Sequence, residues 1–338
     1  MRFLRWIAGL GILAVLGWVG WWWAAAAGQE TALEAWLEAR AAEGWQAEGD
    51  VQVTGFPDRF DRQLVAPALA DPEAGWAWSA ETLSATSVAW DPTHIAVSFP
   101  PEQSLAVPGQ RVAIASDRLD ALFAVVPGLS LALREVGFEA DGLSLAGQSG
   151  FEAGAARLEG RVARRLEGTA PENSYDISVD AEGVRLPRDV TGRIDPGGRL
   201  AGEVARLTLR GQAVTDRPLD RYVIETGEIG ADTLVVREGT LAWGDVRLGL
   251  SGRLDADANG YAEGELAVEA EDWRRLLDIS ERSGAISAEV ADAVRGTLGF
   301  VSLLGGSKGL DITLGFSGGR VLIGPVPVAR APRLRDPA

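Results

Sequence analysis

Beyond Gly44, apolar and polar residues alternate with a period of two in segment after segment. The pattern is present in residues 95–99, 175–180, 206–210, 265–269 and 312–316. Successive side chains of a β-strand point to opposite faces, so this alternation predicts strands with one apolar and one polar face. Gly, Asp, Asn and Pro separate the segments at short intervals, and the 42 glycines of this 338-residue chain are typical of many turns. We therefore predict a mainly β fold with a few helices, built on an antiparallel sheet.

The alternation leaves two arrangements of that sheet open. In a β-sandwich the apolar faces pack on one another or under helices and form an ordinary core. In an elongated or curved sheet one apolar face stays open as a groove. Both arrangements need one apolar face per strand, so the feature that separates them is the apolar area left uncovered.

Helical periodicity interrupts the strands in a few places. Residues 30–43 are strong helix formers with apolar residues at helical spacing, and Gly44 is a natural stop for that helix. Three later segments also have a helical pattern: 117–126 behind the N-cap Ser116, 271–281, and 286–304. No clean linker divides the chain, which predicts one β-rich domain over residues 45–338.

The N-terminus carries 22 successive residues without a charge, from Trp6 to Ala27. As a helix such a run is long enough to cross a bilayer core of about 30 Å. Arg2 and Arg5 precede it, and the positive-inside rule then puts the rest of the chain outside the cytoplasm. This predicts a cytoplasmic N-terminus (1–5), a transmembrane signal anchor (6–27) and a helical stalk (28–44).

Tryptophans mark both ends of this run. Trp6 lies at its start, and Trp21, Trp22 and Trp23 lie near its end. Trp is enriched at membrane–water interfaces, so we expect these four side chains at the two surfaces of the bilayer. Two other interpretations of the run remain open: a cleaved signal peptide with its site in residues 25–27, and a buried core helix.

Composition excludes several classes of function. The chain has no cysteine, which excludes disulfides, thiol nucleophiles and Cys-ligated metals. Its 48 acidic and 32 basic residues give a net charge of −16, which argues against nucleic acid as a partner because that affinity depends on Lys and Arg. We predict no cofactor and no metal.

Two short motifs and the single histidine resemble functional sites and have simpler structural explanations. "GFSGG" (315–319) matches a nucleophile elbow, but His94, the single histidine, lies far upstream, and the motif joins two strands. Residues 255–260 resemble a calcium loop, but its twelfth position holds Leu266 and strands flank it, so a hairpin is favoured. His94 itself lies on the polar side of its strand. We expect no catalytic residues.

The segment "VTGFPDRFD" (53–61) concentrates charges around a glycine and a proline. Alternation ends at Gly55, and Pro57 lacks the N–H that a central strand needs. The simplest interpretation of Gly55, Phe56, Pro57 and Arg59 is a structural corner between the first two strands, with Arg59 free to pair with an acidic neighbour. The alternative is that Arg59 contacts a ligand head group or a partner.

Three segments together resemble a known family: "VTGFPDRFD", the stretch "SGRLDADANGYAEGELAVEAEDWRRLLDI" and the C-terminal "LDITLGFSGGRVLIGPVPVARAPRL". They are similar to single-anchor periplasmic proteins of bacteria, known only as a domain of unknown function, with a GFPxR-like segment and a closing GPxPxGPAP-like run. Here Ala329 and Arg330 stand where that run usually has Gly-Pro. An N-terminal anchor followed by alternating strands with glycines between them also resembles AsmA-type envelope proteins. The folded sheets of those proteins are thought to carry lipid on an apolar inner face.

The resemblance implies a single-pass protein of the inner membrane with most of its chain in the periplasm. Together with the alternating strands, it favours a non-enzymatic protein that binds or transfers lipid or another amphiphile in maintenance of the envelope. The alternative is an interaction or scaffold module that positions another envelope protein. The expected partners are the inner-membrane bilayer, a lipid and an envelope protein.

Overall fold

A computed structural model describes the chain except residues 1, 129, 149, 167–169, 228, 272, 285–286, 290, 293, 297–309 and 338. The protein is mainly β with a few helices, as the alternation predicts. It divides into two compact units: Met1–Ala124 with Ala146–Ser149, and Val125–Leu145 with Gly150–Ala338. The sequence has no linker at this division.

Unit 1 begins with one long helix, α1 (Arg2–Ala42), which joins the two N-terminal segments that the sequence distinguishes. It ends just before Gly44, whose φ of 94° is a left-handed conformation that favours glycine. The Trp45 N–H then donates to the carbonyl of Arg40 at 3.0 Å, which closes the helix. Among the described residues, no helix combines the length and the apolar character needed to cross a membrane.

Eight strands follow in unit 1. They are β1 (Gln46–Thr54), β2 (Arg59–Asp71), β3 (Trp76–Ala80), β4 (Thr82–Val88), β5 (Asp91–Ser98), β6 (Glu102–Val107), β7 (Gln110–Ala115) and β8 (Arg118–Val125). The long strand β2 pairs with β1 along one edge and with both β3 and β4 along the other. The sheet therefore forks at β2, where Ala66 has a φ of 51° and Pro67 is fully buried. One branch continues through β5 and β8, the other through β6 and β7.

Strand β8 corrects one prediction. The helix expected over 117–126 is wrong, because this segment pairs antiparallel with β5, with Ile95 opposite Phe123 and Val97 opposite Ala121. A short apolar run fits a helix or a strand equally well by its pattern, and here pairing with a neighbouring strand decides.

Unit 2 is an antiparallel meander in which each strand pairs with the next along the chain. Its strands are β9 (Leu133–Gly147), β10 (Glu152–Arg164), β11 (Ser174–Val184), β12 (Val204–Thr215), β13 (Ala231–Trp243), β14 (Val246–Ala256), β15 (Ala262–Ala270), β16 (Leu310–Ser317), β17 (Arg320–Ile323) and β18 (Val326–Arg330). Strands predicted at 175–180, 206–210, 265–269 and 312–316 are confirmed as parts of β11, β12, β15 and β16.

Among the described residues, helices lie in the connections of unit 2. They include α2 (Arg188–Ile194), α3 (Arg221–Thr226) and α4 (Trp273–Arg282). Helix α4 confirms the prediction over 271–281. The helix predicted over 286–304 falls largely outside the described residues, although residues 288–289, 291–292 and 294–296 are helical.

The core of unit 2 forms at the two ends of its apolar sheet face. At one end Val204, Trp243 and Val246 pack with Leu276 and Ile279 of α4. At the other end Val321 of β17, Val328 of β18 and the C-terminal Leu334 pack with residues of β14–β16 in a second cluster. Its buried members are Leu254, Ala262, Leu266, Phe316, Val321 and Ala331.

Candidate functional site

The turn between β1 and β2 is the docking point of the N-terminal helix. The indole of Trp22 stacks on Phe60 with 5.5 Å between ring centroids and 17° between planes. Its Nε1–H donates to the carbonyl of Arg59 at 3.0 Å, and the Nε1–H of Trp18 donates to the carbonyl of Pro57, also at 3.0 Å. Trp22 is 2% exposed and Phe60 1%, so this contact is a small core of its own.

The local geometry of the "GFPD" turn explains its residue types. Gly55 has a φ of 102°, and a Cβ there would lie 2.9 Å from the carbonyl oxygen of Arg59. The Arg59 N–H donates to the carbonyl of Gly55 at 3.2 Å, and the Phe56–Pro57 peptide is cis. Because only glycine tolerates that φ at this spacing, Gly55 has a structural role.

The side chain of Arg59 pairs with an acidic neighbour. Its Nε lies 2.7 Å from Oδ2 of Asp61, and the guanidinium side chain is 59% exposed. Phe56, 46% exposed, makes an edge contact with Trp22 at 5.4 Å between centroids. The structure thus brings Gly55, Phe56, Pro57 and Arg59 together with Trp22.

The other predicted interface tryptophans lie on the same helix. Trp21 and Trp23 are 45% and 62% exposed, while Trp22 between them is buried. Trp6 lies within α1, and its side chain is outside the described part. Trp22 stacks on Phe60, and Trp21 also contacts that ring, with 6.2 Å between centroids. Their placement at a bilayer surface stays a prediction.

Arg62 is a second link between the helix and the sheet, and the sequence analysis missed it. Its Nε donates to Oε1 of Gln29 at 2.6 Å, and its Nη2 donates to the hydroxyl of Ser87 at 3.0 Å. Burial lowers the pKa of this guanidinium from its usual value, an effect opposed by the charge of Asp61. Its place two residues after Phe60, on the same side of β2, is the signal that could have identified it.

The apolar side of the β11–β13 part of unit 2 is only partly covered. Five aliphatic side chains form this open sheet face: Ile177, Val179, Leu207, Leu209 and Val236. Val179 lies opposite Leu209 across β11 and β12, and Leu207 is 37% exposed although its strand has neighbours on both sides. None of the five is buried.

The opposite side of the sheet is charged, both on β11 and β12 and on the earlier strands β9 and β10. Glu135 accepts from Arg161 at 2.7 Å, and Asp180 accepts from Arg210 at 2.9 Å. The hydrogen bond to Glu135 raises the pKa of Arg161 above its usual value. Because these pairs are solvent-exposed, they contribute little stability each. They do give this sheet a polar and an apolar side.

A hollow of about 430 Å³ lies on the β12–β16 strands. Its charged lining residues are Arg206, Arg247, Glu269, Glu271 and Asp311. Glu269 lies directly opposite Asp311 in the pairing of β15 and β16. Within the described part of the chain, no group of three or more His, Asp or Glu side chains is arranged to hold a metal ion.

The motifs set aside in the sequence are structural here as well. Oδ1 of Asp257 accepts from the backbone N–H groups of Asn259 and Tyr261 at 2.8 Å each, which closes the hairpin between β14 and β15. The hairpin interpretation of 255–260 is therefore confirmed. Residues 318–319 likewise form a turn between two strands, β16 and β17. His94 has its Nδ1 2.7 Å from Oδ2 of Asp91 on the surface.

One comparison with known proteins gives a match. A family model described as an uncharacterized protein conserved in bacteria covers residues 22–332. The matched region begins at Trp22, the residue that stacks on Phe60, and includes the "GFPD" turn and the open sheet face. No curated protein and no solved structure matches the chain.

Proposed function

We propose that this chain, which belongs to the bacterial DUF2125 family, is a non-enzymatic, membrane-anchored periplasmic protein that binds or transfers lipid or another amphiphile. The observation that carries this proposal is the open sheet face. A leucine in the middle of a sheet normally packs into a core, yet Leu207 is 37% exposed and its neighbours Val179 and Leu209 are not buried. Monomeric proteins rarely expose contiguous apolar patches larger than a few hundred Å² unless they bind a partner or ligand.

The chemistry of the open sheet face suits an acyl chain. Its five side chains are aliphatic and carry no hydrogen-bonding group, so they offer dispersion contacts along three adjacent strands. Neighbouring strands are about 4.8 Å apart, which makes the strip about 10 Å wide. Covering a half-exposed leucine contributes a fraction of the roughly 1.5–3 kcal/mol that full burial of such a side chain gives. Several such contacts together would hold an amphiphile reversibly.

Membrane attachment is supported by the N-terminal helix. The uncharged run from Trp6 to Ala27 lies within α1, and Leu13, Val15 and Leu16 are each more than 60% exposed. Leaving such side chains in water is unfavourable, whereas a bilayer core would receive them. The pair of arginines ahead of the run favours a cytoplasmic N-terminus and a periplasmic chain.

The proposal includes the absence of catalysis. The lowered pKa values of two carboxylates are consistent with this part of the proposal. A hydrogen bond from Thr93 lowers the pKa of Asp91, and one from Arg253 lowers the pKa of Asp255. Both carboxylates face solvent in local pairs. General acids need a raised pKa and a cleft, so these shifts are those of surface ion pairs.

The proposal is tested with the detergent-purified full chain and two charge insertions. Leu209→Glu puts a carboxylate on the open sheet face, and Thr240→Glu puts the same group on the polar side of the adjoining strand as a control. Each protein is extracted with organic solvent for mass spectrometry, and each is titrated with phosphatidylethanolamine carrying a nitrobenzoxadiazole fluorophore.

We expect lipid in extracts of the wild type and of Thr240→Glu, and at least a tenfold weaker titration for Leu209→Glu, because a carboxylate in an apolar contact must be desolvated. All three proteins share the same α1, so lipid held by the helix cancels in the comparison. Equal lipid in all three proteins, or none in the wild type, would refute binding at this face.

An apolar patch at one end of unit 2 favours the alternative, a scaffold module. Val126, Leu131, Tyr222 and Ile229 are between 37% and 51% exposed there. The Arg221 N–H donates to the carbonyl of Ser130 at 3.2 Å, which holds the two loops together. A scaffold predicts one envelope protein that co-purifies with the wild type and is lost with Tyr222→Asp, while lipid binding by the open sheet face is unchanged.

A further inference from the structure

The corner between β1 and β2 is surrounded by large apolar side chains that remain exposed. We name this group the aromatic rim: Trp18, Trp21, Trp23, Phe56, Val88 and Trp90. Trp90 is 68% exposed and Trp23 62%, the most exposed members of the group. Large aromatic side chains do not normally collect on a surface that meets only water.

Contacts within unit 1 place these side chains around one point. The Ala89 N–H donates to the carbonyl of Asp58 at 2.8 Å, which holds the Val88–Trp90 turn beside the "GFPD" turn. Ala89 also packs in the cluster of Trp22 and Phe60. Two sheet turns and one stretch of helix therefore meet here, although they are distant in sequence.

We propose that the aromatic rim rests in the headgroup region of the bilayer and seats unit 1 directly on the membrane surface. The inference rests on the membrane attachment in the proposed function and is independent of the open sheet face. It changes the expected role of residues 28–44: they run alongside β1, with Leu37 7% exposed, and are not a stalk that holds the domain away from the membrane.

The helix geometry leads to this placement. From Arg2 to Trp21 a helix rises about 28 Å, close to the thickness of a bilayer core of about 30 Å. Trp22 is already stacked on Phe60, so the protein side of the membrane begins at this level. The corner therefore lies at the depth where α1 emerges from the hydrocarbon core of the bilayer.

The side chains and charges of the corner suit a lipid headgroup layer. Tryptophan has an apolar ring and one N–H donor, and it is enriched at membrane interfaces for that reason. The segment from Gly55 to Phe60 contains one Asp and one Arg, and that arginine pairs with Asp61 at 2.7 Å. In a chain of net charge −16, this nearly neutral corner carries little of the negative charge that anionic lipid repels.

The chain contains no cysteine, so single-cysteine spin labelling reports on one position at a time. The full chain is reconstituted into phosphatidylethanolamine–phosphatidylglycerol vesicles with a nitroxide at Trp90→Cys. Matched labels are placed at Leu16→Cys on the helix and at Ala74→Cys. Ala74 is exposed in the turn at the far end of β2, and the 13 residues of that strand separate it from the corner. Collision rates with oxygen and with a water-soluble nickel complex are then compared.

Oxygen concentrates in lipid and nickel complexes stay in water, so the oxygen-to-nickel collision ratio rises with membrane depth. We expect this ratio at Trp90→Cys to be severalfold higher than at Ala74→Cys and below that at Leu16→Cys. A ratio at Trp90→Cys equal to that at Ala74→Cys overturns the seating of the rim. If Leu16→Cys is lipid-exposed in that experiment, membrane attachment stands and only this inference fails.

Two other occupants of the rim give distinct readings. A second copy or a protein partner over Trp90 would shield the label from oxygen and nickel alike, and a second copy would also produce dipolar broadening of the spectrum. Either result overturns lipid as the occupant. A water-exposed label at Leu16→Cys would refute the membrane attachment itself, together with this inference.

Discussion

Two parts of the unit 2 sheet have the same alternating sequence and very different surroundings. In the β14–β16 part, Leu254 is 7% exposed, Leu266 9% and Phe316 8%. Val321 of β17, Val328 of β18 and the C-terminal Leu334 pack in the same cluster and cover them. In the β11–β13 part, Leu207 is 37% exposed. Alternation therefore determines which side of a strand is apolar, and the cover on that side comes from elements distant in sequence.

Because of this difference in cover, we expect the two parts to contribute differently to stability and to ligand binding. The covered part supplies stability, since its side chains are removed from water. The open part contributes less to stability and retains surface that a ligand can cover. Substitutions should separate the two effects, with large losses of stability in one part and small losses in the other.

Phe316→Ala should have the largest effect. The side chain is buried among Leu266 and Val321, and phenylalanine-to-alanine changes in cores cost about 3–5 kcal/mol. We expect that loss in the free energy of unfolding, measured by urea denaturation of the full chain. A loss below about 1 kcal/mol, within the range of surface substitutions, would mean that the β14–β16 part is not packed.

Ala262→Leu should be the next most damaging. Ala262 is 1% exposed in the same cluster, so added methylenes have no space, and overpacking costs about 1–3 kcal/mol. The control is Ala156→Leu, at an exposed alanine of β10, which should be nearly neutral. Equal effects at both positions would contradict the claimed difference in packing. The same urea titration measures both.

Leu207→Ala should cost about 1 kcal/mol or less, because part of this side chain is already in water. The same variant should bind the fluorescent phosphatidylethanolamine more weakly, since it removes contact area from the open sheet face. A loss of stability as large as that of Phe316→Ala would show that this face is packed in solution. The sheet would then form a β-sandwich core instead of an open groove.

Acid should produce the smallest effect, through Asp255 on the polar side of β14. Its folded-state pKa is lowered, mainly by the hydrogen bond from Arg253, with Thr233 also donating to it. A depressed pKa adds stability above the unfolded-state value of about 3.8, and this stability is lost as the pH falls through the folded-state value. The stability difference between the wild type and Asp255→Asn should therefore be constant near neutral pH and shrink below about pH 4. A difference that persists unchanged to pH 2 would contradict the assignment.

Much of the fold follows from the sequence, and the reasons differ by element. Leu207, Leu209, Leu266 and Val268 were all predicted on apolar strand faces, and all lie there. The segment 117–126 was predicted as a helix because its apolar residues fit that period, but pairing with β5 makes it a strand. Local pattern does not reveal a pairing that depends on a distant strand.

The candidate site was less predictable. "GFPD" was identified as a corner from its glycine and proline, but nothing local indicated that Trp22 would stack on Phe60 or that Arg62 would bond Gln29. The open sheet face could not be separated from a packed one, since the exposure of Leu207 depends on which distant elements cover its strand. Whether other elements pack over a strand depends on the tertiary structure, and the sequence of that strand alone does not indicate it.

Photo-crosslinking tests the central claim most directly. The full chain is purified in detergent, incubated with a phosphatidylethanolamine that carries a diazirine on its acyl chain, illuminated, digested and mapped by mass spectrometry. We expect label on peptides that contain Val179, Leu207 and Leu209, with competition by unlabelled lipid and loss of the label in Leu209→Glu. Label confined to α1, with none on β11, β12 or β13, would contradict this expectation.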